Sequence, residues 1–520
     1  MKITFLGHAG FCVETSETVV ITDPWLSPTG AFDSAWFQLP RNHHLAAFVQ
    51  EKLGDSHRER FIYISHEHKD HLDLAFLDSL RCRDFTVVIP DFRRDYLVSA
   101  FADYHCKEVV ACGDGDSVAI PGGSLKLYLD DSELNRDSAI LVQAGGRAFL
   151  NLNDCRIVDE LPGIARREGT PDVFACQFSG AGWHPTCYEY SREQYEAIAR
   201  KKVRAKFNSV AHAIKTLQPR VYIASAGPPC FLDPALFHLN FEPVNIFPRT
   251  PQILEYLDRR LPHSSTTWPE LMPGDVLDVG SGKVIYKAKE RLNGNGYEEY
   301  IRRYAGAFEP FFAARETQYR PQDGGEQLLG GVKSMLEAKL AGLTLHDRVH
   351  TPLYFCLDDL PDRMLRVDFP TKAVKEVDGL TDGDFYSITA PSWEVARVLD
   401  GKITWDDFSL TFRIRLNREP DIYHTVVQGF LRLEPEDMNG FCERLLRIET
   451  NQERIVVECN GTRYAVDRFC PHQGGDLRRA WVEEGRFLTC ARHQWQFDLE
   501  NDGVARRNVG SVHAVCLDDD

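Results

Sequence analysis

Two short stretches of this chain hold metal-binding residue types at spacings that suit a metal. Near the C-terminus, Cys470-Pro-His472 is followed after seventeen residues by Cys490-Ala-Arg-His493. Two thiolates on one iron and two imidazoles on a second would make a cluster of higher potential than an all-cysteine one. The same four ligands also suit tetrahedral zinc. Pro471 and Gly474-Gly475 put the first pair on a tight loop, where backbone N–H groups can approach the sulfurs. Near the N-terminus, a β-rich run Phe61–Ile64 leads into Ser65-His66-Glu67-His68-Lys69-Asp70-His71 and then a helical stretch Leu72–Leu80. On a loop after a strand, the H-x-H-x-D-H spacing lets His66 and His68 point to one metal while Asp70 and His71 face a second.

Detail around the C-terminal ligands separates the two chemistries. Cys-Pro-His-Gln-Gly-Gly from Cys470 and Cys-Ala-Arg-His-Gln-Trp-Gln-Phe-Asp from Cys490 resemble the Rieske 2Fe-2S signature. Respiratory Rieske proteins carry a further cysteine, which makes a loop disulfide, where this chain has Gly475. The resemblance therefore implies the lower-potential kind that feeds oxygenases.

The N-terminal motif resembles the metallo-β-lactamase superfamily. Leu6-Gly7-His8-Ala9-Gly10-Phe11 and Thr22-Asp23-Pro24-Trp25 look like its UlaG-like branch. Hydrolytic members complete the metal shell with further histidines, and the comparable segments here offer oxygen instead. Asp130–Asn135 supplies Glu133, Asn151–Cys155 supplies Asp154 as a bridging carboxylate, and Ala226–Pro234 supplies Asp233. Carboxylate in place of imidazole favours a harder, redox-capable metal such as iron or manganese. His8 reads as a neighbour of the ligands, His184 as a pocket residue and His238 as a spare candidate, each more often structural than functional. Gly280-Ser281-Gly282-Lys283 lacks the earlier glycine of a phosphate-binding loop, and no flavin or nicotinamide fingerprint occurs.

A one-electron carrier beside a second metal site is of use to an oxygen-activating iron and of none to a zinc hydrolase. The pair resembles the CMP-N-acetylneuraminate hydroxylase family, which joins these modules and hydroxylates a nucleotide-linked sialic acid with electrons from a reductase and a small haem carrier. The likeness extends to Leu217–Gly227, Thr267-Trp268, Pro273–Gly280, Ile403–Trp405 and Phe412–Asp421. In that family the Rieske module comes first and histidines stand where this chain has Glu133 and Asp233, which implies a distinct subfamily with a retuned metal site.

The elements that must position these residues follow from pattern and composition. The 520 residues, with 43% hydrophobic and 26% charged, describe a globular chain of about three domains. Strand-like and helical runs alternate up to residue 285, as in an α/β layered domain, and the clearest helix, Arg192–Leu217, is stopped by Pro219. Residues 286–437 read as an α+β connecting and substrate-pocket domain, with helices over 297–345 broken by the Pro321–Gly325 loop. Its Trp393, Trp405, Phe408 and Phe412, with Tyr423, read as core. Residues 438–520 read as an all-β Rieske domain. The expected fold is thus an αββα sandwich at residues 1–285, then α+β, then β.

A net charge of −17 with no basic cluster argues against nucleic acid or a membrane surface as partner. The polar opening residues leave no room for a signal segment, and the fourteen cysteines are scattered singly. A cytoplasmic protein is expected. The leading expectation is a Rieske-dependent monooxygenase that holds a 2Fe-2S cluster on Cys470, His472, Cys490 and His493. One or two non-haem irons, with zinc or manganese as substitutes, would sit on His66, His68, Asp70, His71, Asp154, Glu133 and Asp233. Its partners would be O₂, a small polar substrate, a separate NAD(P)H-dependent reductase and a small electron carrier; a homo-oligomer is left open. A metal-dependent hydrolase with a regulatory cluster, and a redox sensor or electron-transfer protein, are the alternatives.

Overall fold

The computed structural model describes residues 1–292, 296–319 and 326–518, so the expected Pro321–Gly325 loop lies outside the described residues. The described chain forms two compact units. The first comprises Met1–Asp131, Asn135–Pro185 and Arg192–Glu309.

Its architecture follows from strands whose two faces are both apolar. Thr18–Thr22 is buried at every position. Because side chains alternate along a strand, Val20 enters a core with Phe5, Tyr63, Ile140 and Phe149. Val19 and Ile21 enter another, with Val49, Phe76 and Leu97. The first core lies between two sheets. One has eight strands, in the order Lys283–Ile285, Val276–Asp278, Lys2–Gly7, Gly10–Glu14, Thr18–Thr22, Glu59–Tyr63, Thr86–Pro90, Glu108–Cys112. The other has six, in the order Val221–Ser225, Val173–Gln177, Arg147–Asn151, Asp137–Ala144, Gly123–Asp130, Ser117–Ile120.

Helices cover the outer faces. Ala46–Leu53, Leu74–Ser79 and Tyr96–Phe101 pack on the first sheet. The expected long helix, Arg192–Leu217, packs Phe207, Val210, Ile214 and Leu217 on the second with Ile253 and Leu257. The result is the expected αββα sandwich. The helix after the histidine motif is shorter than its apolar pattern, because Asp73 caps it by accepting from Phe76 N at 3.0 Å and also from Leu26 N and Ser27 N.

The second unit comprises Pro310–Asp520 together with Ser132–Leu134 and Thr186–Ser191. It holds a five-stranded sheet, in the order Ala373–Val377, Met364–Asp368, Leu353–Leu357, Phe385–Ala390, Arg415–Glu419, with small antiparallel sheets of three and four strands after residue 454. Trp405, Phe408 and Phe412 are buried as expected. Trp393 is half-buried, with Arg413 over its ring at 5.2 Å. Tyr423 differs, being only partly buried and turned to a ring described below. No helix of the described residues is long and apolar enough to cross a membrane.

Candidate metal centres

The histidine motif sits where the strand Glu59–Tyr63 ends, on a loop held from beneath by Asp23. Asp23 Oδ1 accepts from Ser65 N at 2.8 Å and Oδ2 from Ser65 Oγ at 2.7 Å. Asp23 Oδ2 is also 2.8 Å from His71 Nδ1. On the other side, Asp137 Oδ1 is 3.1 Å from His66 Nδ1. With both Nδ1 atoms engaged, the Nε2 atoms are the ones turned to a ligand.

These Nε2 atoms converge with carboxylates. His66, His71 and Asp154 each offer a ligand atom within 4.8 Å of the others, and so do His8, Asp70 and His71, the two groups sharing His71. His68 Nδ1 lies 2.8 Å from His66 Nε2, and His8 Nε2 lies 3.0 Å from Asp70 Oδ2. Thus His66, Asp70, His71 and Asp154 fall in the two metal-sized groups and His8 joins them, while His68, expected to share a metal with His66, lies beside His66 Nε2 and among the described residues is in neither group.

The electrostatics suit a cation. Burial pushes His66 down to about 3, helped by the neighbouring His71 and His68, so its imidazole is neutral, as a ligand must be. Burial also opposes charge on His71, but the Asp70 and Asp23 carboxylates outweigh it and raise the ring to about 10, so without a metal it holds a proton that a bound cation would displace. Asp137 is pushed well above the usual carboxylate range by burial and by Asp154. Asp70 Oδ1, Asp154 Oδ1 and His71 Nε2 are buried without a hydrogen-bond partner. Buried polar atoms are seldom left so, and metal ions held in the two groups would satisfy them. Mixed nitrogen and carboxylate donors fit iron or manganese.

The other two expected carboxylates are not members of these groups. Asp233 is buried and its Oδ1 accepts from Ala235 N at 3.0 Å, a turn cap. Glu133 is buried on Ser132–Leu134, which belongs to the second unit. Among the described residues neither falls in a metal-sized group. His238 is exposed and 3.8 Å from Glu242, and the His184 carbonyl accepts from Lys202 Nζ at 2.7 Å. Sequence reading missed Asp137, which has no motif around it and meets His66 only when the two sheets stack. Asp23 was visible inside a motif, but without a role.

In the second unit, two loops face one another. Gly474 N donates to Cys470 O and Gln494 N to Cys490 O, each at 2.9 Å, which folds both loops into tight turns. Cys470, Cys490 and His493 each offer a ligand atom within 4.8 Å of the others. His472 stands edge-on to His493, ring centroids 4.6 Å apart, and stacks on Trp495 at 4.5 Å. Burial and the adjacent Cys490 push the Cys470 thiol well up, so its proton leaves only to a metal. Gly475 lets the two loops approach closely: a Cβ there would come within 3.1 Å of Cys490 Sγ. Two thiols and two imidazoles at this spacing fit a 2Fe-2S cluster with mixed ligands. Tyr423 Oη lies 3.1 Å from His472 Nε2, a contact no motif announced.

Fold and sites define a two-module metalloprotein, and comparison with known proteins gives the same two modules. Residues 2–126 match a beta-lactamase superfamily domain and residues 434–514 a Rieske [2Fe-2S] domain. The chain is 28% identical over 524 residues to a Mycobacterium tuberculosis protein described as a Rieske 2Fe-2S iron-sulfur protein, covering 96% of this chain and 97% of that one. It is 24% identical over 451 residues to the cytidine monophosphate-N-acetylneuraminic acid hydroxylase of Danio rerio, covering 82% and 70%. The family resemblance read from the motifs is borne out at this level. Among solved structures it is similar to CmlA, a diiron beta-hydroxylase from Streptomyces venezuelae, at 16% identity and a TM-score of 0.36, over 55% of this chain and about half (54%) of that one.

Proposed function

We propose that the chain is an O₂-dependent oxidoreductase, a monooxygenase that hydroxylates or N-oxygenates a small polar substrate, with amino-sugars and nucleotide-sugars in its range. When bound, a 2Fe-2S cluster on Cys470, His472, Cys490 and His493 supplies single electrons, and non-haem iron on His66, His68, Asp70, His71 and Asp154 supplies O₂ activation. The observation that carries the reading is that one chain holds both a site where two thiols converge with the His493 imidazole, His472 standing beside it, and a buried imidazole–carboxylate site. The hydroxylase among its relatives supports the same class.

The protein's own part is positioning and exclusion of water. Asp23 and Asp137 hold the His71 and His66 rings by Nδ1. Trp25 stands edge-on to His8 at 5.2 Å and Phe32 to His68 at 5.9 Å, forming an aromatic wall beside the ligands. A separate NAD(P)H-dependent reductase, a small electron carrier and a cytoplasmic setting are part of the proposal.

The test is metal content of protein purified without oxygen, followed by O₂ uptake driven by NADH and a reductase. Two irons per chain beyond one or two more, with uptake lost in Cys490→Ser while the other iron is retained, is the expected result. Stoichiometric zinc with turnover that needs no electrons would establish the hydrolase instead. A reducible cluster with no O₂ consumption would establish the redox sensor.

A further inference from the structure

The first unit also holds a cavity of about 980 Å³, none of whose lining residues belongs to the metal-sized groups, large enough for a small molecule by the usual range of roughly 300–1,000 Å³. Arg200 and Arg204, one turn apart on the helix Arg192–Leu217, line one side. Arg259 and Arg260, at the end of the helix Thr250–Arg260, line it too, as does Arg249 just before that helix. Five guanidiniums around one cavity run against the chain's net charge of −17. Like charges so gathered repel and concentrate a positive field in the cleft, which an anion relieves.

The protein neutralises this charge only in part. Arg200 pairs with Glu196 at 3.0 Å and Arg259 with Glu255 at 2.8 Å. Glu242 also lines the cavity, and its Oε2 accepts from Tyr195 Oη at 2.7 Å. Among the described residues, no carboxylate pairs with Arg204 or Arg260. Arg249 is fixed in place: its Nη2 donates to Asn240 O at 2.9 Å and its guanidinium lies 4.5 Å from the Tyr297 ring centroid. Its Nη1 is buried and has no hydrogen-bond partner. A guanidinium stacked and tethered in this way is a charge already fixed in place at the cleft, preorganised for an oxyanion.

The frame is rigid as well. Asn240 donates to Phe231 O at 2.6 Å and Phe237 O at 2.9 Å, and Asn245 donates to Leu239 O at 2.8 Å. Phe207 and Tyr256, rings 5.3 Å apart, give the lining an apolar part for the body of a ligand.

We infer that this cleft binds a small organic polyanion, a molecule carrying phosphate groups or several carboxylates, through Arg204, Arg249 and Arg260. The site does not depend on the oxygenase reading, since none of its arginines is in either metal centre. The test is calorimetric titration of the full-length, metal-loaded protein at low salt with fructose 1,6-bisphosphate as the phosphate probe and tricarballylate as the carboxylate probe. Saturable binding of one probe per chain is expected, and which probe binds tighter identifies the anion. Arg204→Gln with Arg260→Gln should weaken it by about tenfold or more, since both charge-assisted contacts are lost. Both side chains are exposed, so circular dichroism and iron content should not change. Arg249→Lys, which keeps the charge and loses the fork, should weaken it as well. No saturable binding of either probe up to millimolar concentration, or binding unchanged in these variants, would overturn the inference.

Discussion

His66 Nδ1 and Asp137 Oδ1 lie 3.1 Å apart with both side chains almost wholly buried, so a residue of one sheet sets the ring of a ligand carried by the other. Asp23 does the same for His71 at 2.8 Å. Residues that orient metal-bound imidazoles commonly contribute 10–100-fold to metal affinity. Asp137→Asn and Asp23→Asn should therefore each lose about 10–100-fold in retention of the N-terminal metal. Chelator competition followed by elemental analysis measures it, and iron in the Rieske cluster should stay constant in the same samples.

Tyr423 Oη meets His472 Nε2 at 3.1 Å, sharing that nitrogen with Gln473 Nε2 at 3.0 Å. If Nδ1 were to hold iron, Nε2 would carry the ring's proton and give its hydrogen bond to the phenol oxygen rather than to the Gln473 amide nitrogen, itself a donor, which would make the ring a stronger donor to the metal. Tyr423→Phe should raise the cluster's reduction potential by on the order of 20–60 mV, the one-electron equivalent of a typical hydrogen bond. A redox titration followed by visible absorption is the measurement. An unshifted potential would reduce Tyr423 to a packing residue.

Asp275, within the Pro273–Gly280 segment, is fully buried and ties a turn together. Its Oδ2 accepts from Met272 N at 3.0 Å and Arg291 Nη1 at 2.6 Å, and its Oδ1 from Lys287 N at 2.8 Å and Ala288 N at 2.9 Å. Asp275→Ala leaves four donors without an acceptor, at a cost of about 2–4 kcal/mol. A marked drop in melting temperature is expected, without a change in either metal ligand set.

Lys339 is buried, donates to Phe430 O at 3.1 Å and lies 3.8 Å from the Trp405 ring centroid. Burial pulls its amine down to about 7, against the pull of Glu434 and Glu436. Between about 7 and the unfolded value of 10.5 the unfolded chain binds the extra proton, so this group makes stability rise with pH across that window. Lys339→Met removes that slope. Its melting temperature relative to the parent protein should be most favourable near neutral pH and decline as pH rises toward 9, and parallel pH curves would contradict this account of Lys339.

What the sequence disclosed was what lies close together along it. His66 through His71 and the pairs Cys470/His472 and Cys490/His493 are local patterns, and the structure brings each set close, though His66 groups with His71 and Asp154 rather than with His68. Apolar runs such as Thr18–Thr22 announced buried strands for the same reason. Asp137 and Tyr423 act through partners 71 and 49 residues away, and no spacing rule reaches that far. The arginine cleft is the clearest case. Its members are spread from Arg200 to Arg260, so a search for a basic run finds nothing, and only the packing of two helices assembles it. Asp233 is a carboxylate whose neighbours in sequence suggested a ligand, and in the structure its Oδ1 caps a turn.

The second unit takes in Ser132–Leu134 and Thr186–Ser191, where Leu134 N donates to Gln473 Oε1 at 2.9 Å and Glu189 N to Leu416 O at 2.9 Å. During synthesis those two pieces leave the ribosome far ahead of their partners and must wait, presented by whatever has already folded. Maturation of the cluster-bearing half is thereby made contingent on the half translated first, and a C-terminal fragment begun at residue 310 would be born lacking two of its own parts.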